Sequence, residues 1–471
     1  MKRIIFLFSL SLLITYNVSA QKESFIWYFG YSAGLDFNYN PPHILSNGAM
    51  RHTGGSGTIS DHSGNLLFYT DGQDVYNKNN QLMKNGGNIG GSNMSDQSGL
   101  IIPCPGISYL YFIFSNNGIN FSYSYVNMSK QGGLGEVISK NNILINGQGT
   151  NKVTAVRHSN KSDIWVITHK YKSNAFYAYL IAGSGIIKTP IISYCGSILD
   201  NPAYLYGQMK ISPDGNLLVN TICEKGFELF YFDKRTGVVI GPIFRVIDQR
   251  NYVGAEFSPN GRYLYLTNQG GSTPNKQCVW QYDLNSIDSS DIINSKVFIN
   301  NTKTTVGTCQ VAVDGKIYIG GIDACIHIIN KPNLKGSDCN YIDTSICYNP
   351  PATAPGYCFP DFLQSYFFVP DFKSDHTCLG DITNFKLTDS TWVDSVFWAF
   401  GDASSGSNNY SKLKEPNHYF ADTGLYKVSI IVYRDTIIDT FSRNIRIDNY
   451  PTASFYCFGY TGMFKRKYIF F

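Results

Sequence analysis

The chain of 471 residues is longer than one ordinary domain, so its length predicts two or three folded units. Its formal charge of +4 falls to +2 when Lys2 and Arg3 are set aside, which excludes the basic stripe that a nucleic-acid-binding surface needs. Aromatic residues make up 15% of the chain and sustained helical periodicity is nearly absent, a pattern that predicts an all-β protein.

The first twenty residues have the plan of a secretory signal peptide. Lys2 and Arg3 precede an apolar run from Ile4 to Ile14, and Val18-Ser19-Ala20 supplies a small-residue cleavage site. The apolar run is too short to span a bilayer, and an uncleaved N-terminal anchor is the alternative. No later segment is apolar for long enough to span a membrane. We therefore expect an exported chain that is secreted or lies at the outer cell surface.

A strand–turn–strand unit recurs through the middle of the chain. Its three clearest copies are "KISPDGNLLVNT" from Lys210, "EFSPNGRYLYLT" from Glu256 and "QVAVDGKIYIGG" from Gln310. Each turn ends in Asp-Gly or Asn-Gly, which predicts a two-residue corner where glycine takes a positive φ at little cost. Weaker copies place Gly64, Pro105-Gly106 and Asn160–Ser162 at the turn.

The spacing of these copies predicts a β-propeller. Intervals of roughly 40 to 55 residues match four-stranded propeller blades, and six such units lie between about Gly55 and Tyr348. Strand-like segments near the N-terminus, "FIWYFG" and "LDFN", and at Phe362–Val369 lack a local partner. We expect them to join in one blade that closes the ring. The prediction is a propeller over residues 21–370 with about seven four-stranded blades; six or eight blades, or a series of β-sandwiches, are the alternatives.

The eleven cysteines permit disulfides in an exported chain, although an odd number leaves at least one thiol unpaired. No Cys-x-x-Cys pair exists, so zinc ribbons and thioredoxin-like sites are poorly supported. We expect bridges among Cys339, Cys347 and Cys358, which share one loop-rich region. Cys223 and Cys325 lie in strand-like runs and are interpreted as small buried hydrophobic residues.

The pattern changes after residues 370–374, which are interpreted as a linker. Val396, Trp398 and Phe400 alternate along one strand, and the same alternation returns from Tyr426 to Val432. Two apolar faces of this kind predict the opposed sheets of a small β-sandwich over residues 375–449.

Motifs in this second part resemble those of polycystic-kidney-disease (PKD) domains, which are immunoglobulin-like β-sandwiches. The matching positions are Trp398, Phe400, Gly401 and Asp402; Pro416, His418 and Tyr419; and Gly424, Tyr426 and Val428. Ala403 stands where many members have a glycine. The stretches from Trp27 to Phe37 and from Gly64 to Gly72 in turn resemble secreted PKD domain-containing proteins of the Bacteroidota with an N-terminal propeller-like region. That resemblance implies a domain architecture and an exported location rather than a biochemical activity.

Two pairs of residues, each with an aspartate and a histidine, are candidates for a catalytic or metal-binding site. Asp402 is interpreted as a turn corner and His418 as a residue that fixes a loop, with a catalytic Asp–His pair as the alternative. His62, beside Asp61, is the least implausible metal ligand, although a solvated turn residue is the favoured interpretation.

Asp71 and Asp74 are weak candidates for the paired carboxylates of glycoside hydrolysis, and turn capping is the favoured interpretation. The sequence has no nucleophile elbow, His-Glu-x-x-His motif, EF-hand loop or phosphate-binding loop. We therefore assign no catalytic, cofactor-binding or metal-binding residue and expect no cofactor.

These observations favour a secreted or cell-surface, non-enzymatic binding or adhesion protein. The propeller would bind an extracellular glycan or protein, and the PKD-like module would act as a spacer or adhesive domain. The alternative is a secreted polysaccharide-degrading enzyme or peptidase with carboxylates at the propeller mouth. Residues 450–471 are expected to be a truncated or unstructured tail, because the C-terminal sorting domain found in related proteins is missing from them.

Overall fold

The computed structural model describes residues 22–247, 250–269, 277–286, 288–302, 304–321, 325–349, 353–367, 372–387, 393–434 and 437–450. The predicted signal peptide and nearly all of the predicted tail lie outside these residues. The chain divides into two compact units, the first formed mainly by residues up to 371 and the second mainly by residues from Phe372 onward. No helix in the described ranges has the length and apolar character needed to cross a membrane.

The first four antiparallel sheets follow one another along the first unit. Sheet 1 contains β1 (Ile26–Phe29), β2 (Ala33–Asp36) and β3 (His43–Leu45), and sheet 2 contains β4 (Gly57–Ser60), β5 (Leu66–Thr70) and β6 (Val75–Asn77). Sheet 3 contains β7 (Gly99–Cys104), β8 (Ile107–Asn116), β9 (Phe121–Asn127) and β10 (Glu136–Ile145). Sheet 4 contains β11 (Val153–Arg157), β12 (Ile164–His169), β13 (Ala175–Ala182), β14 (Gly185–Ile186) and β15 (Ile191–Tyr194).

Three four-stranded sheets complete the first unit. Sheet 5 contains β16 (Met209–Ile211), β17 (Leu217–Ile222), β18 (Gly226–Asp233) and β19 (Val238–Ile247). Sheet 6 contains β20 (Asn251–Phe257), β21 (Tyr263–Gln269), β22 (Cys278–Asp283) and β23 (Val297–Asn301), with the short helix α1 (Ser289–Asn294) before β23. Sheet 7 contains β24 (Val306–Val311), β25 (Ile317–Gly321), β26 (Cys325–Ile329) and β27 (Tyr341–Cys347). Short 3₁₀ segments lie at Gln131–Gly133, Pro202–Leu205, Gly336–Cys339 and Gln364–Phe367.

The pairing order within these sheets follows the sequence, as a succession of hairpins requires. In sheet 4 the outermost position is divided between β14 and β15, which both pair with β13. Sheets 1 and 2 have three strands each and sheet 4 has five, so the expectation of four strands throughout is wrong for these three sheets.

The predicted turns lie between the first and second strands of their sheets. Ser212 N donates to Leu217 O and Gly215 N donates to Ser212 O, so the loop is longer than the predicted two-residue corner. Glycine at the left-handed end of such a longer loop still relieves backbone strain. The equivalent glycines all have φ between 71° and 87°: Gly64, Gly106, Gly215, Gly261 and Gly315. In the Asn160–Ser162 turn, Lys161 takes this conformation with φ 68°.

Buried aromatic contacts join each sheet to the next and finally join sheet 7 to sheet 1. Between sheets 6 and 7, Tyr265 and Ile319 belong to one buried cluster. The other junctions contain ring pairs whose centroids lie 4.6–6.1 Å apart: Tyr28–Tyr69, Phe68–Tyr111, Phe121–Tyr179, Phe176–Phe230, Phe227–Tyr282 and Trp27–Tyr318. A closed succession of sheets packed face to face is a β-propeller, which confirms the predicted all-β propeller architecture.

The closure of the ring differs from the prediction. Gln364–Phe367 forms a 3₁₀ segment instead of part of a strand at Phe362–Val369. The N-terminal and C-terminal parts of the first unit do meet, because the Trp27 ring packs 5.6 Å from Phe359 and 5.7 Å from Phe362. Residues 353–367, which we call the axial segment, add no strand to any sheet and pair with the ring through isolated bridges: Tyr31–Ala354, Ser56–Pro360 and Ala155–Leu363. These bridges reach three different sheets of the ring, so the segment occupies its centre.

The second unit contains two sheets whose aromatic side chains pack against each other. One sheet is formed by β28 (Phe372–Asp375), β29 (Thr383–Leu387) and β32 (Asn417–His418). The other is formed by β30 (Ser395–Ala399), β31 (Tyr410–Ser411), β33 (Gly424–Arg434) and β34 (Ile437–Ile447), with a 3₁₀ segment at Ala403–Asn409. Phe372 lies 5.0 Å from Trp398, and Phe385 lies 5.1 Å from Phe400, measured between ring centroids. Strand β28 includes three residues that the sequence analysis placed in the linker.

The disulfide differs from the expected pairings. Cys325 and Cys347 form a bridge across β26 and β27, whereas Cys339 and Cys358 are free and buried. The interpretation of Cys325 as a buried hydrophobic residue is therefore wrong. The register of the two strands places Cys325 directly opposite Cys347, and this juxtaposition cannot be read from sequence spacing. Cys223 is a free, partly exposed thiol.

Candidate functional site

His62 and Asp61 lie in the first turn of sheet 2. His62 Nδ1 lies 2.7 Å from Glu23 Oε1, and the His62 side chain is 72% exposed. Asp61 Oδ1 accepts hydrogen bonds from the backbone N–H groups of Ser63 and Asn65. Across the described ranges, no three His, Cys, Asp or Glu side chains are grouped so as to hold a metal ion.

Asp71 and Asp74 hold the turn after β5. Asp71 Oδ1 accepts from the backbone N–H groups of Gln73, at 2.9 Å, and Asp74, at 2.6 Å. Asp74 Oδ1 accepts from Asn88 N at 2.9 Å. Burial raises the pKa of Asp71. Both carboxylates are thus engaged in local turn contacts.

Asp402 lies at a buried chain corner with His418 beside it. Asp402 Oδ2 lies 3.2 Å from His418 Nε2 and accepts from Ala421 N at 3.1 Å, and Ser404 Oγ donates to Oδ1 at 2.9 Å. Burial raises the pKa of Asp402, but these hydrogen bonds outweigh burial and hold the pKa below its usual range. The His418 ring stacks on Phe400 at 4.3 Å, so the pair is built into the core of the second unit.

A second histidine array went unnoticed in the sequence because its members lie on separate elements. His327 Nδ1 lies 2.6 Å from Asp343 Oδ1, and His327 Nε2 lies 3.1 Å from Thr304 Oγ1. Hydroxyl, imidazole and carboxylate in this order can activate a nucleophile when a substrate reaches the hydroxyl. His327 is fully buried, and its contact with Asp343 links β26 to β27.

A set of buried polar groups from several sheets lies at the centre of the ring, beside the axial segment. We call it the axial network. Each member is at most 4% exposed: Gln97, Gln208, Lys210, Glu256, Gln310 and Asp361. Lys210, Glu256 and Gln310 are the first residues of the three clearest repeat copies, so the fold brings equivalent repeat positions together. A long polar side chain at the same position of each repeat was the sequence signal for this network.

Gln97 connects neighbouring sheets to the axial segment. Its Nε2 donates to Val153 O at 2.8 Å and to Asp361 Oδ1 at 2.9 Å, while its Oε1 accepts from Met209 N at 2.7 Å. These atoms belong to sheet 4, the axial segment and sheet 5, respectively. A single amide side chain therefore holds three parts of the ring in register.

Gln208 also connects neighbouring sheets. Its Nε2 donates to Cys309 O at 3.0 Å, and its Oε1 accepts from Ala255 N and Cys309 N. Sheets 6 and 7 are thereby joined through a residue that precedes sheet 5. Because buried amides are costly when unpaired, these bonds favour one arrangement of the inner strands.

Charged groups occupy the middle of the axial network. Lys210 Nζ donates to Gln310 Oε1, and it lies 3.5 Å from Glu256 Oε2 and 3.9 Å from Asp361 Oδ1. Burial raises the pKa values of both carboxyl groups, that of Asp361 to about 7. The ammonium group of Lys210 partly opposes this effect.

A second charged pair lies near the first. Lys152 Nζ donates to Tyr206 O at 2.7 Å, and Asp96 Oδ2 accepts from Gly207 N at 2.7 Å. Burial lowers the pKa of Lys152 to about 7 and raises that of Asp96. The ring centre thus concentrates five ionisable side chains whose partners are supplied by the protein itself. This arrangement can lock the axial segment in place.

The outer side of sheet 4 presents a different surface, which we call the outer-edge patch. Strand β15 pairs with β13 and forms the outer edge of its sheet. Large apolar side chains at or beside this edge are 40–71% exposed: Ile187, Ile191, Ile192, Tyr194 and Ile198. A group of exposed apolar side chains at a sheet edge is typical of an interaction surface.

Comparisons with known proteins find structural similarity to solved structures but no sequence match. No protein-family model matches the sequence, and no curated protein matches it. The chain is similar to the β-propeller domain of Cps50 (Swd1) from Myceliophteria thermophila, with 9% identity, coverage of 64% of this chain and 94% of that one, and a TM-score of 0.38. Similarity to Kluyveromyces lactis Hsv2 has 10% identity, coverage of 66% and 90%, and a TM-score of 0.37.

The dihydro-heme d1 dehydrogenase NirN is also similar, with 11% identity, coverage of 91% of this chain and 74% of that one, and a TM-score of 0.40. The class of this chain, a β-propeller protein, rests on its own closed ring of sheets.

Proposed function

We propose that this chain is a secreted or cell-surface, non-enzymatic binding or adhesion protein. In this proposal the seven sheets are the blades of a seven-bladed propeller that serves as a binding platform. The observation that carries it is the filled ring centre, where the axial segment and the axial network occupy the position of a central ligand. In this proposal the partner binds to the exposed apolar side chains of the outer-edge patch rather than to the ring centre.

We also infer that the second unit is a PKD-type, immunoglobulin-like sandwich that serves as a spacer or adhesive module. The motif residues support this, because Trp398 and Phe400 pack between the two sheets and Asp402 holds the corner that follows them. Export is supported by the signal-peptide pattern of the first twenty residues.

The alternative of a hydrolase with carboxylates at the propeller mouth requires acidic groups that a substrate can reach. Glu256 and Asp361, the carboxyl groups of the axial network, are directed at protein partners and are at most 4% exposed. This geometry favours binding over catalysis.

The test is a glycan array and a pull-down from extracellular protein extracts with the immobilised chain lacking residues 1–20. A double variant, Ile191→Lys/Tyr194→Lys, places charge on the outer-edge patch. Ile143→Lys is the matched control, because Ile143 is similarly exposed, at 53%, on the outer strand β10 of sheet 3. We expect the double variant to lose at least tenfold in affinity and the control to bind like the wild type. Equal binding by all three proteins, or turnover of a polysaccharide or peptide, contradicts the proposal.

A further inference from the structure

Two buried carboxyl groups share one ammonium group at the ring centre. Lys210, Glu256 and Asp361 are all at least 96% buried, and the Lys210 Nζ lies within 4 Å of both carboxyl groups. With both carboxyl groups ionised, this set carries a net charge of −1 in a region of low dielectric constant. Since an uncompensated buried charge is very costly, one carboxyl group is expected to retain its proton.

Hydrogen bonding indicates which carboxyl group holds the proton. Glu256 accepts from Phe257 N at 3.0 Å and from Val311 N at 3.1 Å, and it is the nearer carboxylate to Lys210. Asp361 accepts from Gln97 Nε2 at Oδ1, and its Oδ2 has no hydrogen-bond partner among the described residues. Bonds to backbone donors stabilise the ionised form of Glu256, so the proton belongs on Asp361.

The remaining ionisable neighbours do not supply the missing positive charge. Asp96 and Lys152 are bonded to Gly207 N and Tyr206 O rather than to the axial segment, so the titration of Lys152, whose pKa burial lowers to about 7, breaks no contact of the segment. Burial raises the pKa values of the Cys309 and Cys358 thiols, which keeps both neutral at physiological pH. The local charge imbalance therefore remains with the Lys210, Glu256 and Asp361 set.

Asp361 is the single charged residue of the axial segment, as the sequence of residues 353–367 shows. The rest of the segment is held by backbone hydrogen bonds and aromatic packing. Tyr357 N donates to Thr53 O at 3.2 Å, Asp361 N donates to Ser56 O at 2.8 Å, and Phe359 packs against Trp27. Displacement of the segment would move Asp361 into water, and it would also expose Phe359 and Phe362, which are buried in the cluster that joins sheets 6, 7 and 1.

We propose that the axial segment is a proton-dependent strap, which is seated in the ring centre with Asp361 protonated and held less tightly as the pH rises. This inference goes beyond the proposed binding function, and the two are tested by separate measurements. A protonated Asp361 leaves Lys210 and Glu256 as a balanced pair, whereas an ionised Asp361 adds a second buried carboxylate that Lys210 cannot also neutralise.

The pH range follows from the two states of Asp361. A displaced, solvated aspartate has a pKa near 4, whereas burial raises that of the seated residue to about 7. The equilibrium constant for holding the axial segment in the ring centre is therefore largest below about pH 4. It falls by up to tenfold per pH unit between about pH 4 and 7 and is constant above about pH 7. The whole range corresponds to a change of about 10³-fold in the seating equilibrium.

Hydrogen–deuterium exchange of the full chain between pH 5 and pH 8 tests the strap, with labelling times scaled to the intrinsic exchange rate. We expect the protection of residues 353–367 to fall at least tenfold over this range while strands such as β12 and β21 change little. Asp361→Asn should remove this pH dependence, because the amide is always neutral. Asp200→Asn, at an exposed aspartate, is the matched control and should behave like the wild type.

Infrared spectroscopy provides a second readout that does not require the variant to fold with full stability. The wild type at pH 6 should show the carbonyl band of a buried protonated carboxyl group that is absent from Asp361→Asn. Protection of the axial segment that is unchanged with pH in the wild type overturns the proposal. So does a pH dependence that persists in Asp361→Asn, or the lack of a protonated carboxyl band.

Discussion

Replacement of Gly307 by alanine tests how closely the axial segment packs against the inner strands of the propeller. A Cβ atom at residue 307 would lie 1.8 Å from Tyr357 O and 2.6 Å from Tyr357 C. Ordinary contact begins near 3.4 Å, so the segment must retreat by roughly 1.5 Å. Gly307 does not have a positive φ, and the effect of alanine is therefore steric rather than a matter of backbone conformation.

The expected cost follows from the contacts that this retreat disturbs. Overpacking of a well-filled interior costs about 1–3 kcal/mol. The displaced carbonyl also loses the hydrogen bond from Thr308 N, at 2.9 Å, and the neighbouring bond from Gly321 N to Gly356 O, at 3.0 Å, is weakened. At about 1 kcal/mol for each bond, the free energy of unfolding should fall by about 3–5 kcal/mol in total.

Guanidinium unfolding followed by circular dichroism measures this loss, and hydrogen exchange locates it in residues 353–367. Gly87→Ala is the control, because a Cβ atom there meets its nearest neighbours at an ordinary 3.8 Å and φ is again not positive. The control should change stability by no more than about 0.5 kcal/mol. Equal unfolding midpoints for the two variants, or unchanged exchange in the axial segment of Gly307→Ala, would refute the packing described for the ring centre.

Three other predictions concern the charged network, the disulfide and the second unit. Lys210→Met should lower the free energy of unfolding by about 3–5 kcal/mol, because it leaves two buried carboxyl groups without their ammonium partner. The double variant Lys210→Met/Glu256→Gln should lose less stability, and urea unfolding measures both. Cys347→Ser removes a cross-link between residues 22 apart, and we expect the free energy of unfolding in urea to fall by about 3 kcal/mol. Peptide mapping should find a reducible Cys325–Cys347 link in the wild type and none in the variant. The depressed pKa of Asp402 means that its stabilising contribution is present above about pH 4 and is lost as the pH falls through the lower folded value. Acid unfolding of the second unit, followed by hydrogen exchange of β30 and β33, should therefore be less steep in Asp402→Asn, and identical acid profiles would contradict this role.

Local sequence patterns were sufficient to predict the repeated part of the fold. Glycine at the turn position and alternating apolar residues on either side specify a hairpin through contacts between near neighbours, so the strands around Gly215, Gly261 and Gly315 could be predicted. The buried faces of Trp398 and Phe400 were predictable for the same reason. The secreted location, the blade count and the PKD assignment stay predictions.

The parts that were not predicted depend on residues far apart in the chain. The Cys325–Cys347 bridge depends on strand register, and the strand expected at Phe362–Val369 was wrong because the segment packs against inner strands from distant sheets. The axial network was missed although Lys210, Glu256 and Gln310 occupy one repeat position. The sequence showed that these positions were equivalent but did not show that a ring would direct their side chains to a common point.

The contact between Trp27 and Phe362 has a consequence for the order in which the chain can fold during synthesis. The aromatic residues that close the ring come from nearly opposite ends of the propeller sequence, so β1 must leave the ribosome long before the residues that cover it. Contacts of such large sequence separation form slowly, because the loop they close is long. Until residues 353–367 have been made, the early sheets expose apolar edges that can aggregate, and the nascent chain should require a chaperone during this interval.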